Sequence, residues 1–136
     1  MIKKIDHIGI AVKSVDDALK IYKDVIGLKF VKIEEVPEEK VKIAMLKVGE
    51  TYVELLEPLS EDSALAKFLE RRGEGIHHIA FAVDDINKAM EEVKANGVDF
   101  IYEKPRELHD RKINFIHPKF GHGVLLELVE RIKEVE

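Results

Sequence analysis

Four side chains in this 136-residue sequence have the types and spacing to hold a divalent ion: His7, Glu54, His78 and Glu127. Both glutamates interrupt apolar runs, Tyr52-Val53-Glu54-Leu55-Leu56 and Leu125-Leu126-Glu127-Leu128-Val129. An ionised carboxylate in such a run is costly unless it is paired or bound to a metal. The separations nearly agree, 47 residues from His7 to Glu54 and 49 from His78 to Glu127. Two imidazoles and two carboxylates make a nitrogen and oxygen donor set that suits a first-row divalent ion and leaves positions for water or a substrate oxygen. Taken singly, each residue also has a structural reading. The glutamates can pair with lysines at an exposed edge, and His7 can donate to a backbone carbonyl.

What sets these four apart is an internal repeat. Ile5-Asp6-His7-Ile8-Gly9-Ile10-Ala11-Val12 returns as Ile76-His77-His78-Ile79-Ala80-Phe81-Ala82-Val83 at an offset of 71. Ala18 then matches Ala89 and, after a one-residue deletion, Gly27 matches Gly97 and Phe30 matches Phe100. Each copy supplies one histidine from its first strand and one glutamate from its last, so a pseudo-two-fold relation would bring all four to a common axis. The other histidines lack this support. His77 alternates onto the opposite face, His117 ends a strand on the side of Phe115, and His109 and His122 lie in polar loops.

The elements that must carry the four follow from periodicity. Ile8, Ile10 and Val12, with Ile79, Phe81 and Val83, form the helix-facing side of two strands, while His7, Gly9 and Ala11, with His78, Ala80 and Ala82, form the other. A histidine followed by two small residues reads as a cavity wall. In the first copy Ser14 and Asp17 offer a capping box ahead of a stripe of Ala18, Leu19, Tyr22, Val25 and Ile26 that stops at Gly27. In the second, Asp84 and Asp85 open a helix whose stripe is Ile86, Ala89, Met90 and Val93, closed by Asn96-Gly97. Strand-like segments follow at about 29–35, 41–48 and 51–57, and at about 98–103, 112–117 and 123–130. Between the copies, Asp62 or Ser63 can cap a short helix that ends in Gly73-Glu74-Gly75.

The expected fold is therefore α+β: two tandem βαβββ modules forming a cupped eight-stranded sheet with helices on its outer face. We expect one domain over 1–136, with repeat one at about 1–60, a linker helix at about 61–72 and repeat two at about 73–136.

Composition narrows the function. The chain has no cysteine, which excludes thiolate nucleophiles and thiolate metal sites. A net charge of −5 argues against nucleic-acid or anionic-membrane partners. With no apolar run of membrane-spanning length and no signal-like N-terminus, a cytoplasmic location is expected. Basic clusters at Lys67, Arg71 and Arg72 and at Lys104, Arg106, Arg111 and Lys112 could meet an anionic small molecule, although a solvated surface is the reading their composition favours.

The sequence resembles the vicinal oxygen chelate superfamily (the glyoxalase/bleomycin resistance/dioxygenase group) and, within it, the methylmalonyl-CoA epimerases. The resemblance runs through residues 5–12, Val53-Glu54-Leu55-Leu56-Glu57-Pro58-Leu59 with Asp62-Ser63, residues 73–81, His117-Pro118-Lys119, and Gly123 to Leu128. It implies that His7, Glu54, His78 and Glu127 bind one divalent ion such as cobalt, manganese, zinc or nickel. It also implies an acyl-CoA substrate, a homodimer and a place in propionate metabolism. Some members carry a second glutamate as a proton-transfer base at the position that is Ile43 here.

Epimerisation of methylmalonyl-CoA removes an α-proton between a thioester and a carboxylate, and a cation at the developing enolate stabilises it. Glu127 is the expected base. Two other activities use the same scaffold: a glyoxalase I-type lactoylglutathione lyase acting on a glutathione hemithioacetal, and a non-enzymatic small-molecule binding protein that would not need four ionisable ligands.

Overall fold

In the computed structural model, which describes residues 1–133, alternating apolar residues build a ten-residue first strand, β1 (Ile2–Ala11). The final three residues of the second repeat lie outside the described residues. Ser14 caps the helix that follows, its Oγ accepting the Asp17 N–H at 3.1 Å. This helix, α1 (Val15–Leu19), passes directly into a π-helical turn over Lys20–Val25, so the apolar stripe is kept while the winding loosens. Gly27 then reverses the chain with φ at +88°. β2 (Lys29–Val36), β3 (Val41–Val48) and β4 (Thr51–Pro58) complete the first repeat.

The linker helix α2 (Ala64–Arg72) starts at Ser63, whose hydroxyl accepts the Ala66 N–H at 3.0 Å, and ends at Gly73. Of the two caps offered by the sequence, Ser63 is the one used. Asp62 instead binds the Lys40 ammonium at 2.8 Å and the Ser60 hydroxyl at 2.5 Å, and these hydrogen bonds lower its pKa to about 2. β5 (Gly75–Val83) opens the second repeat, followed by α3 (Ile86–Ala95), capped by Asp85, and by β6 (Arg106–Glu107), β7 (Arg111–Phe115) and β8 (Leu125–Arg131). Hydrogen bonding orders the strands β2-β3-β4-β1-β5-β8-β7-β6 in one eight-stranded sheet, the α+β arrangement expected from the repeat. Among the described residues no helix is long and apolar enough to cross a membrane.

The chain clusters into two units. One holds residues 7–77 and the other joins Met1–Asp6 to the residues from His78 onward, so the first half of β1 groups with the second repeat. In the 7–77 unit, Val12 and Val15 pack with Ala44, Leu46 and Leu55 beneath the first helix. The other unit repeats this with Val83, Ile86, Ala89, Met90 and Leu128 beneath α3. Each fully buried large aliphatic side chain stabilises by about 1.5–3 kcal/mol, so these two clusters hold the helices on the sheet.

The second repeat departs from expectation at 98–103. This segment forms no ladder: it is irregular, with an isolated bridge between Phe100 and Ile116, just past β7, and an Ile101 N–H that donates to the Phe115 carbonyl at 2.8 Å. The ladder partner of β7 is β6, at Arg106 and Glu107. Against this segment lies Asn114, a fully buried side chain in β7. Its Oδ1 accepts the Tyr102 N–H at 3.2 Å and its Nδ2 donates to the Tyr102 carbonyl at 2.9 Å. One side-chain amide thus satisfies backbone groups that a ladder would otherwise pair.

Candidate metal and proton-transfer site

The β1–β4 ladder is parallel and places Gly9 opposite Glu54. His7 lies two residues earlier on the same face, so its imidazole and the Glu54 carboxylate are diagonal neighbours. Their Nε2 and Oε1 stand 3.6 Å apart. The β5–β8 ladder, also parallel, places Ala80 opposite Glu127, with His78 two residues earlier. Here Nε2 and Oε1 stand 3.5 Å apart. Gly9 and Ala80 carry at most a methyl group at the position facing the glutamate, which leaves the carboxylate room to lean toward its histidine.

All four side chains are buried, His7 at 3%, Glu54 at 7%, His78 at 7% and Glu127 at 4% exposure. Atoms bound about 2.0–2.2 Å from one ion stand roughly 2.8–3.6 Å apart, from neighbouring octahedral positions at the short end to tetrahedral ones at the long end. The two imidazole to carboxylate separations, 3.6 and 3.5 Å, lie at the long, tetrahedral end of that range. His7 with Glu54, and His78 with Glu127, are each a buried pair of one nitrogen and one oxygen donor of the kind a divalent ion accepts. The fit rests on donor chemistry, a nitrogen and an oxygen atom brought together within each pair and away from water.

Two residues of the site escaped the reading of the sequence. Met45 in β3 faces Glu54, and Phe115 in β7 faces Glu127. They walk in step with the repeat, 70 residues apart as Gly27 and Gly97 are, and that offset is the signal that would have found them. The Phe115 ring meets His78 edge-on, with centroids 6.5 Å apart. Ala80 is packed with Ile113 and Val129 against Leu108 and Phe115, so in the second repeat the small residues accommodate neighbouring side chains. Beside this patch Arg131 grips Asp6 with two hydrogen bonds, Nε to Oδ1 at 3.1 Å and Nη2 to Oδ2 at 2.7 Å. Asp6 is 2% exposed, and the clamp anchors the residue immediately before His7. Arg131 also approaches Asp110 at 3.6 Å, and Arg111 binds that same carboxylate at 2.7 Å. Burial pushes the Asp110 pKa up, but Arg111, with His109 and Arg131, outweighs it and leaves the group below its ordinary value.

The remaining histidines have other uses. His77 packs edge-on against Phe68 with centroids 4.9 Å apart. His117 caps the short 3-10 turn Pro118–Phe120, its Nδ1 accepting the Lys119 N–H at 3.3 Å. His109 and His122 are exposed.

Residues 6–115 match the glyoxalase/bleomycin resistance protein/dioxygenase superfamily. This chain belongs to that superfamily. Within the superfamily, the mitochondrial methylmalonyl-CoA epimerase of Homo sapiens is 35% identical over 92% of this chain and 72% of its own length. A variant of the Streptomyces coelicolor methylmalonyl-CoA epimerase, solved in complex with 2-nitronate-propionyl-CoA, is 39% identical. It superposes with a TM-score of 0.90 over 98% of this chain and 100% of that one. A methylmalonyl-CoA epimerase solved with methylmalonyl-CoA and NH4+ is 40% identical, with a TM-score of 0.89 over 96% of both chains.

Proposed function

We propose that this superfamily member is an isomerase, a methylmalonyl-CoA epimerase, in which His7, Glu54, His78 and Glu127 hold one divalent ion, cobalt, manganese, zinc or nickel. The observation that carries the reading is the duplicated contact: a buried imidazole and a buried carboxylate set 3.6 and 3.5 Å apart by the same strand register in both repeats. The relatives named for this activity, one of them solved with the substrate, support the choice of reaction.

The ion, when bound, supplies positive charge at the thioester oxygen where the enolate develops. The chain's own residues supply the rest. His7 and His78 would offer their ring nitrogens to the ion from rigid strands rather than loops. Glu127 takes the α-proton onto a carboxylate oxygen. A carboxylate that also ligates a cation is a weaker base, so Glu127 would serve best as a base where its hold on the ion is weak. Met45 and Phe115 flank the two carboxylates with apolar surface, which strengthens electrostatic interactions beside them. Inversion requires the proton to return on the opposite face, and Ile43, an aliphatic side chain, is not the donor. The same reading makes the protein a cytoplasmic homodimer serving propionate metabolism.

The test is metal-depleted protein reloaded with each ion in turn. One bound ion per chain, with epimerisation of methylmalonyl-CoA restored and no turnover of a glutathione hemithioacetal, is the expected result. Turnover of the hemithioacetal alone would move the chain to the lyase activity, and failure to bind any ion would remove both.

A further inference from the structure

The chain holds three asparagines and no glutamine, and only Asn96 is followed by glycine. Asn114 is fully buried ahead of Phe115, and Asn87 sits in the first turn of α3 ahead of Lys88. Asn96 follows Ala95, the last residue of α3, and both Asn96 and Gly97 are exposed. The turn needs its glycine: Gly97 has φ at +82°, as Gly27 has +88° at the matching place in the first repeat. It does not need the amide, because the first repeat makes the same turn with Ile26 before Gly27. Asparagine before glycine carries a reactivity that isoleucine lacks. With no side chain on the following residue to obstruct it, the Gly97 nitrogen can reach the Asn96 Cγ.

The folded chain restrains that reaction. The Asn96 Nδ2 donates to the Glu92 carbonyl at 2.9 Å, the Asn96 N–H to the Val93 carbonyl at 3.1 Å and the Gly97 N–H to the Lys94 carbonyl at 2.9 Å. These bonds satisfy carbonyls that the helix end would otherwise leave open. They also engage both groups that must change, the amide that would leave and the nitrogen that would attack. Closing a five-membered ring needs the Gly97 nitrogen and the Asn96 Cβ on the same side of the Asn96 Cα–C bond. The cap holds ψ of Asn96 at 15°, which turns them away from each other. The last turn must therefore open before the ring can form. Ile86, Ala89 and Met90 bury the earlier turns of α3, whereas Lys94, Ala95, Asn96 and Gly97 are all exposed, so this end is the part of the helix that opens most readily.

We propose that Asn96 is a site of spontaneous deamidation, gated by local opening of the last turn of α3. In the open turn the Gly97 nitrogen passes its proton to water and bonds to the Asn96 Cγ, the Cγ–Nδ2 bond breaks, and ammonia leaves with a proton taken from water. A second water then opens the ring at either carbonyl, giving aspartate or, with one more carbon in the backbone, isoaspartate. The product has lost the Nδ2 donor and sets a negative charge at the negative end of the helix, so the original cap does not re-form. The test follows the whole protein at fixed temperature and mildly alkaline pH by peptide mass spectrometry. Asn96 should convert while Asn87 and Asn114 do not, about ten- to a hundredfold more slowly in the folded chain than in the urea-unfolded chain, as the population of a frayed turn sets. Urea below the unfolding transition should change the folded rate by less than about twofold, because local opening exposes little surface. Ala95→Gly should raise the folded rate about two- to fivefold by weakening the turn, and leave the unfolded rate unchanged. Equal rates in the folded and unfolded chains would remove the gate, and a folded rate that climbs with urea along the slope of global unfolding would make the opening global. Either result, an Ala95→Gly variant no faster than the wild type, or an Asn96 that stays intact while another asparagine converts, would overturn the proposal.

Discussion

Glu57 accepts the backbone N–H of Val15 at 2.7 Å, and Glu130 accepts that of Ile86 at 2.9 Å. Each lies three residues beyond a proposed ligand, Glu54 or Glu127, on the opposite face of the same strand. One strand therefore carries a ligand toward the site and a helix cap toward the core. We expect Glu57→Ala and Glu130→Ala each to destabilise the fold by about 1 kcal/mol, as the loss of a helix cap does, with glutamine largely rescuing both. Denaturant unfolding measures this, and unchanged midpoints in both alanine variants would mean that the contacts contribute nothing.

His7→Ala and His78→Ala should each lose the ion and the activity but retain the fold. Both imidazoles lie on the face away from the helix-packed clusters, so their removal leaves those clusters intact. Elemental analysis alongside circular dichroism tests it. An unfolded variant would show that the histidine is a packing residue.

Glu127→Gln that keeps its metal should abolish inversion. If Glu127 serves one face of the substrate, deuterium exchange at the α-carbon should persist for one enantiomer and vanish for the other. Exchange lost equally for both would show that Glu127 serves both faces or acts only through the ion. Metal content must be measured in the same samples.

Asp110 gives a pH dependence with a definite sign. Its pKa is lowered in the folded protein, so its ionised form contributes stability above the ordinary carboxylate range, and that contribution fades as the pH falls through the lowered value. Arg111→Leu removes the main cause of the lowering. The variant should be less stable than the wild type near neutral pH, with the gap closing in acid. Urea unfolding at both pH values checks it, and a gap that widens in acid would reverse the assignment.

Most of the site was legible in the sequence because its signals are local or repeated. Period two sorted His7, Gly9 and Ala11 from Ile8, Ile10 and Val12. The caps at Ser14, Ser63 and Asp85 are encoded within three residues of the groups they bind. The repeat picked out Glu54 and Glu127 from 27 acidic residues. What only the tertiary structure decided is which residues stand opposite one another. Strand register depends on hydrogen bonds between segments some forty residues apart, and nothing near Glu54 in the sequence says that it faces Gly9 and leans toward His7. The same limit hid Asn114. Its neighbours read as an ordinary strand, and only burial beside Tyr102 shows its amide serving backbone groups at 98–103, where the expected strand gives way to a ladder at Arg106–Glu107. Residue type and periodicity settle which face a side chain takes, because one backbone dihedral pattern imposes it. Which side chains meet across that face is settled by long-range packing, where the free energies of many small contacts are summed and no single residue records the result.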